Sequence, residues 1–368
     1  MQAQVRWIGS RTIARPVAPW EAPEFKEGGP ARPDMPCEGA MSSAESPLPE
    51  SDVNVRDLIM GNPVARAFAI TGDAWIQLIL REAFYGARRF STWRERLGIP
   101  RSVLTDRLTR MVSAGLFEQR PAPGGERLEY RLTEMGLDMF GVAVMQGQWE
   151  RRWARSPLQE RYALAFFDRE TGARLTPAIF DHAYGHAVDP RQVRWVAREG
   201  LAAIPPPTSR RRRTVPMETD RAIIDRSTDI MGDYWSWAVL SAAFFRLRRF
   251  DAIHAALGVA TNILADRLQR LVLQGVLRKQ LYQTAPARYE YRLTEAGLEL
   301  FPIAIAMHGW AVRWLCPEGP PLDLIDTVSG RVIEGVVCDL RTGRPLDPRQ
   351  IRWEMEAAPD RPGPASLS

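Results

Sequence analysis

Arg101–Leu132 reads R-S-V-L-T-D-R-L-T-R-M-V-S-A-G-L-F-E-Q-R-P-A-P-G-G-E-R-L-E-Y-R-L, and its changes of period decide the fold. Over Arg101–Ala114, Leu104, Leu108, Met111 and Val112 fall on one helical stripe. Gly115 stands just past that stretch, where a helix C-terminus takes glycine. Leu116–Arg120 and Arg127–Leu132 then read as strands, with Pro121-Ala122-Pro123-Gly124-Gly125 supplying the turn. Upstream, Trp75–Tyr85 places Trp75, Ile76, Ile79, Leu80, Ala83 and Phe84 at helical spacing. Phe90–Leu97 is a second, short helix, and Gly98-Ile99-Pro100 breaks the chain before Arg101. Downstream, Thr133 is the N-cap of a long amphipathic helix through about Trp153. Helix, helix, turn, helix, hairpin, helix is a winged helix-turn-helix.

The whole pattern occurs twice. Gly72-Asp73-Ala74-Trp75 returns as Gly232-Asp233-Tyr234-Trp235, and Arg88-Arg89-Phe90 as Arg248-Arg249-Phe250. Leu104, Asp106, Arg107, Leu108 and Arg110 return as Leu264, Asp266, Arg267, Leu268 and Arg270. E-Y-R-L-T-E-M-G-L (Glu129–Leu137) returns as E-Y-R-L-T-E-A-G-L (Glu290–Leu298), and D-P-R-Q-V-R-W (Asp189–Trp195) as D-P-R-Q-I-R-W (Asp347–Trp353). A unit of roughly 135 residues is duplicated, too large for a solenoid repeat. The fold class expected is mainly α with small β-hairpins (α+β), built as tandem winged helix-turn-helix domains that form a pseudo-dimer.

The divisions expected are a disordered Pro-rich segment over 1–55, a first winged-helix domain over 56–160 and its small C-terminal extension over 161–200. A Pro/Arg-rich linker over 201–220 leads to a second winged-helix domain over 221–317, its extension over 318–356 and a disordered tail over 357–368. Trp149 and Trp310, and Trp153 and Trp314, match between copies; they read as a shared interface or as core within each domain.

The chain of 368 residues has 49 Lys+Arg against 44 Asp+Glu, and its basicity is uneven. Residues 1–55 hold five basic and eight acidic side chains, so the remainder carries +8. Lysine occurs only at Lys26 and Lys279. An arginine-rich folded part is suited to phosphate and guanine contacts, although GC-rich codon usage also produces it. No stretch approaches the ~18 uncharged apolar residues of a membrane helix, and no signal peptide is visible. The scattered Cys37, Cys316 and Cys338 imply no disulfide framework and fit a cytoplasmic, nucleoid-associated location. No P-loop, G-x-S-x-G, H-E-x-x-H or dinucleotide fingerprint is present, so no enzyme and no cofactor is expected.

With Leu104 and Leu108 turned inward, the helix Arg101–Ala114 presents Ser102, Val103, Asp106, Thr109 and Arg110 outward, flanked by Arg101, Thr105 and Arg107. Its counterpart presents Asn262, Ile263, Asp266, Gln269 and Arg270. Hydroxyls, amides and arginines read base edges in the major groove of double-stranded DNA. Asp106–Arg110 and Asp266–Arg270 are equally suited to an i,i+4 ion pair. Arg127 and Arg288 near the hairpin tips can enter a minor groove, or simply face solvent. Arg88, Arg89, Arg248 and Arg249 are placed for phosphate or for a structural ion pair.

Each copy resembles the HxlR-type winged-helix transcriptional regulators. The residues that carry this are G-D-A-W, L-I-L-R-E, G-A-R-R-F, V-L-T-D-R-L, G-L-F and L-E-Y-R-L-T-E-M-G in the first copy. G-D-Y-W, R-R-F, I-L-A-D-R-L, G-V-L and Y-E-Y-R-L-T-E-A-G carry it in the second. The resemblance implies DNA binding and transcriptional control, usually as a dimer joined by terminal helices. Two departures narrow it. Asn62-Pro63 stands where many members have a cysteine before proline, so thiol sensing there is not expected. The C-terminal knuckles lack their cysteines, and His182 with His186 makes no zinc set, so no metal is expected. The knuckle form should persist around Trp195 and Trp353.

A tandem chain can form an intramolecular pseudo-dimer, and further homodimerisation stays open. The differing outward faces predict an asymmetric operator. The alternative is a winged-helix protein-interaction scaffold in which one copy, more readily the second, has lost DNA binding. A small-molecule effector in a pocket lined by Trp75, Trp93, Trp235 and Trp237 is a further expectation, set against core packing of the same residues.

Overall fold

The computed structural model describes residues 54–122, 125, 127–153, 162–181, 185–206 and 226–357. The expectations for 1–53, most of the linker, His182 and the tail beyond 357 lie outside the described residues. Two helices precede the first reading motif, α1 (Val55–Gly61) and α2 (Pro63–Thr71). Asn62 joins them: its Oδ1 accepts from Ala65 N–H at 2.8 Å and its amide donates to Leu58 O at 2.7 Å. The position of the family's cysteine is therefore a helix cap here. Of the stretch read as disordered, only Asn54 and Val55 are described, as the cap and first residue of α1.

The first copy continues with α3 (Ala74–Phe84), α4 (Phe90–Leu97), α5 (Arg101–Ser113), β1 (Phe117–Pro121), β2 (Leu128–Leu132), α6 (Glu134–Asp138) and α7 (Phe140–Trp153). The long helix expected from Thr133 is broken at Met139, so α6 is a separate turn. Thr133 still caps it, accepting from Gly136 N–H at 3.1 Å, and its hydroxyl donates to Gly115 O at 2.5 Å. A Cβ on Gly136 would lie 2.1 Å from Leu116 O, so the L-T-E-x-G motif is the joint between wing and helix. Its strands β3 (Tyr162–Asp168), β4 (Arg174–Leu175), β5 (Pro177–Asp181), β6 (His186–Ala187) and β7 (Val193–Ala197) follow.

The second copy has α8 (Arg226–Met231), α9 (Tyr234–Phe244), α10 (Phe250–Leu257), α11 (Thr261–Leu273), β8 (Leu277–Thr284), β9 (Ala287–Leu293), α12 (Glu295–Leu298) and α13 (Phe301–Leu315). Its extension supplies β10 (Leu322–Asp326), β11 (Gly335–Asp339) and β12 (Ile351–Ala357).

The copies meet through reciprocal contacts, the signature of a two-fold interface. Trp149 Nε1 donates to Ala296 O at 2.8 Å, and Trp310 Nε1 to Met135 O at 2.9 Å. Trp153 Nε1 donates to Glu299 at 2.8 Å, and Trp314 Nε1 to Asp138 at 2.8 Å. Arg152 pairs with Glu299 and Arg313 with Asp138, both at 3.0 Å. The four tryptophans thus make the shared interface, while their rings also pack within it.

The extensions are exchanged rather than separate. The β3 strand pairs with β12, β7 with β10, and β5 with β11, every pair antiparallel and every pair joining the two copies. Ile179 sits opposite its own counterpart Val337, so the pseudo-axis passes there. Trp195 packs edge-on against Phe245 of the second copy, and Trp353 against Tyr85 and Phe140 of the first. Where cysteine knuckles would be, aspartates hold the turns. Asp168 Oδ1 accepts from the N–H groups of Glu170 and Thr171, and Asp326 Oδ1 from that of Val328. The glycines that close them, Gly172 and Gly330, have φ of +70° and +72°. These hydrogen bonds hold both carboxyls below the usual range.

Two predictions follow from the shared core. Trp149→Phe and Trp310→Phe each strand a carbonyl of the opposite copy and should cost similar amounts, ~1–3 kcal/mol in urea denaturation, because the contacts are reciprocal. His308 is buried on α13, where the first copy has Gly147; burial pulls its pKa from 6.5 to about 4, against the opposing pull of Asp323. The folded state therefore refuses a proton that the unfolded chain takes below pH 6.5, so stability falls as pH drops from 6.5 towards 4. Between pH 7 and pH 5, His308→Met should lose roughly 2 kcal/mol less than the wild type.

Candidate nucleic-acid interface

In each copy a left-handed glycine, Gly98 or Gly258 with φ of +62°, ends the first helix of the motif and turns the chain into the second. Ile99 and Val259 plug the turn against the core. Beyond it, Leu104, Leu108 and Met111 of α5 and Leu264, Leu268 and Leu271 of α11 are buried, which leaves the opposite face outward.

Arg101, Ser102, Thr105, Asp106, Thr109 and Arg110 are all exposed on α5. Val103 is a correction: it is only 9% exposed and belongs to the core, because the buried arc is wider than the Leu104–Leu108 line. Ile263 is likewise half-buried against the core. Thr105 spends its hydroxyl proton on Arg101 O at 3.0 Å, which leaves its lone pairs and methyl for a ligand.

Arg107 is turned inward and is not a flank of the reading face. It donates to Asp73 at 2.7 Å and to Asp106 at 2.5 Å. Arg267 does the same with Asp233, at 2.6 and 3.1 Å, and with Asp266 at 2.6 Å. Burial works against their charge, but these carboxylates outweigh it and hold both guanidinium pKa values above the ordinary range. Asp73 and Asp233 in turn cap α3 and α9, and they face each other in an antiparallel β-bridge across the pseudo-axis. A Cβ on Gly232 would lie 2.5 Å from Ala74 Cα, so the approach requires glycine. The G-D and D-R motifs of the two copies form one continuous connection between the reading helices. Sequence reasoning missed Asp73 and Asp233; their repetition with the D-R pair was the available signal.

The copies then diverge. Asp106 makes no ion pair with Arg110, whereas Asp266 pairs with Arg270 at 2.8 Å. Burial raises the Asp266 pKa, but Arg267 and Arg270 more than reverse this and hold it below the usual range. Asn262, Gln269 and Arg270 are exposed and Asp266 is half-buried, while Thr261 stands where the first copy has Arg101. Among the described residues, Arg88, Arg101, Arg110 and Arg127 are exposed and make no ion pair. Arg248 and Arg288 share that state.

The wings complete the surface. Backbone bonds from Tyr130 to Arg88 O at 2.8 Å and from Tyr291 to Arg248 O at 2.7 Å tie the R-R-F segments to the second wing strand. Arg89 pairs with Glu129 of the wing at 3.3 Å, so its structural partner is the wing. Arg249 lies over the Tyr282 ring at 4.6 Å. The second wing is longer and more apolar: Leu281, Tyr282 and Tyr289 are exposed, as is Leu273 at the end of α11, 75% exposed. Trp93 is fully buried and donates to Ile79 O, and Trp75 and Trp237 are core, so these do not line a shared pocket with the half-buried Trp235.

Residues 70–157 and 230–319 both match the family described as HxlR-like helix-turn-helix. An uncharacterized HTH-type transcriptional regulator of Mycobacterium tuberculosis is 46% identical over 98 residues, covering 26% of this chain and 62% of that protein. One from Bacillus subtilis is 32% identical over 26% of this chain and 88% of its own length. A third, from Synechocystis, is 35% identical over 28% of this chain and 76% of its own. The chain belongs to the HxlR-like helix-turn-helix family, two copies in tandem, a family of transcriptional regulators and not of enzymes. No helix among the described residues is long and apolar enough to cross a membrane.

The inward arginines predict unequal costs. Asp233 is more enclosed than Asp73, with 9% against 24% side-chain exposure, and takes both guanidinium bonds. Arg267→Met should destabilise by roughly 3 kcal/mol and Arg107→Met by about 1, read by chemical denaturation.

Proposed function

We propose that the protein is a sequence-specific double-stranded DNA-binding transcriptional regulator, acting in the cytoplasm on the nucleoid, in which one chain presents both reading helices as an intramolecular pseudo-dimer. The observation that carries this is the outward face of α5. Arg101 and Arg110 flank Ser102, Thr105 and Thr109 there, with Arg88 and Arg127 free beside them. Unpaired guanidiniums have no internal partner to desert when they meet phosphate or guanine. Arg88, Arg89, Arg248 and Arg249 serve the backbone, and Arg127 and Arg288 the minor groove.

The second copy reads more weakly in this proposal. Asn262, Asp266 and Gln269 face outward, but Arg270 is held by Asp266, and Thr261 adds no charge. The operator is therefore asymmetric, with a dominant half-site under α5. A second reading is favoured by one feature only: the apolar second wing, with Leu273, Leu281, Tyr282 and Tyr289 exposed, suits a protein partner.

Duplexes selected from a random pool by the full chain test the proposal. The affinity should fall with salt at a slope of about −5 to −7 in log–log form, for ~6–8 phosphate contacts. Arg101→Ala and Arg110→Ala should each weaken the selected site about tenfold or more, and Arg270→Ala by less. Equal affinity for every duplex, or no effect of the α5 substitutions, overturns the assignment.

A further inference from the structure

One cavity lies on the first copy's side of the pseudo-axis. It lies between α3 and α7 of the first copy, bounded by β3 and by Thr228 and Trp353 of the second, and opens to solvent at its mouth. At the equivalent place in the other half, Phe68 stacks on Trp237, ring centroids 4.7 Å apart and nearly parallel. Thr228 and Gln77 occupy those two positions at the cavity. The cavity is thus the space of a missing aromatic pair, and Phe84, Phe140 and Trp353 remain as its aromatic walls.

Its polar groups are equally one-sided. Gln77, Arg81, Tyr85 and Gln146 line it, where the second copy has Trp237, Ser241, Phe245 and Met307. The family fold is therefore built in the second half without any of the four. Gln77 donates to Thr71 O at 2.8 Å, and Gln146 reaches Gln77 at 3.4 Å. Arg81 gives Nε and Nη2 to Glu82 at 3.2 and 3.0 Å, and its buried Nη1 has no hydrogen-bond partner. A buried guanidinium nitrogen left open beside aromatic walls asks for an anionic acceptor.

We propose that this cavity binds a small monocyclic aromatic carboxylate, its ring in place of the missing stack and its carboxylate on Arg81. The occupant touches both copies at once, and α3, which forms one wall, begins at Asp73, the junction between the reading helices. Occupancy therefore changes how α5 and α11 are set and alters DNA affinity; that consequence rests on the DNA-binding reading, whereas the binding itself does not.

Calorimetry on the full chain without DNA tests the site with benzoate, 4-hydroxybenzoate and the neutral benzamide. Saturable binding of one carboxylate per chain is expected, about tenfold or more weaker for benzamide and for Arg81→Met, the scale of a lost charge-assisted hydrogen bond. Gln77→Trp combined with Thr228→Phe rebuilds the sister stack, so it should keep the melting temperature and abolish binding. No saturable binding, binding that survives this filling, or equal affinity for benzamide overturns the proposal. A chain that binds benzoate but no duplex supports the pocket and removes the DNA reading, so the two fail separately.

Discussion

The Arg107–Asp73 and Arg267–Asp233 pairs are the constraint on which the arrangement of the two readers depends. Each aspartate does three things with a handful of atoms. It caps the first core helix, accepts the inward arginine of the reading helix, and brings its backbone against its own counterpart. A reading helix in this protein is thus fixed to its partner by a chain of charge-assisted bonds, in addition to its apolar stripe. Such bonds are directional, whereas apolar burial is not, so they set the rotation of α5 and α11 and not only their burial.

The same economy explains what the duplication kept. Trp149 and Trp310 each need a carbonyl from the other copy, and β3, β5 and β7 each need a strand from the other copy. Residues on such reciprocal contacts appear twice in the sequence because each serves in both roles of the interface. Turns closed by Asp168 and Asp326 and clamped by Trp195 and Trp353 against the opposite copy hold their form through hydrogen bonds and packing.

Much of this was legible in the sequence, and the reasons are local. The stripe of α5, the wing turn and the Thr133 cap are short-range features whose period or chemistry declares itself within a dozen residues. The Arg101, Thr109 and Arg110 face followed directly from that stripe. What escaped was set by contacts distant in sequence. Helical rotation alone turns Val103 outward, because it locates an arc without its width. Arg107 and Asp73 are 34 residues apart, and only packing brings them together. No period in residues 161–200 says that their strands pair with the second copy as well as with each other. The break at Met139 interrupts a continuous apolar pattern and so leaves no trace in it.

Pseudo-symmetry also changes what a position is free to become. In a homodimer, any substitution at the interface is made twice, so opening a cavity on one side opens it on the other and the cost doubles. Here the fused chain separates the two. Phe68 on Trp237 preserves one aromatic stack, and Thr228 with Gln77 gives up the other. Asp266 retires Arg270 on one reading face while Asp106 leaves Arg110 free on the other. Both divergences fall on the same half: the first copy holds the cavity and the unpaired arginines of α5, and the second copy holds Trp237 and the paired Arg270 of α11. A junction kept symmetric thus carries two outward faces that differ, because fusion lets each copy change without its twin.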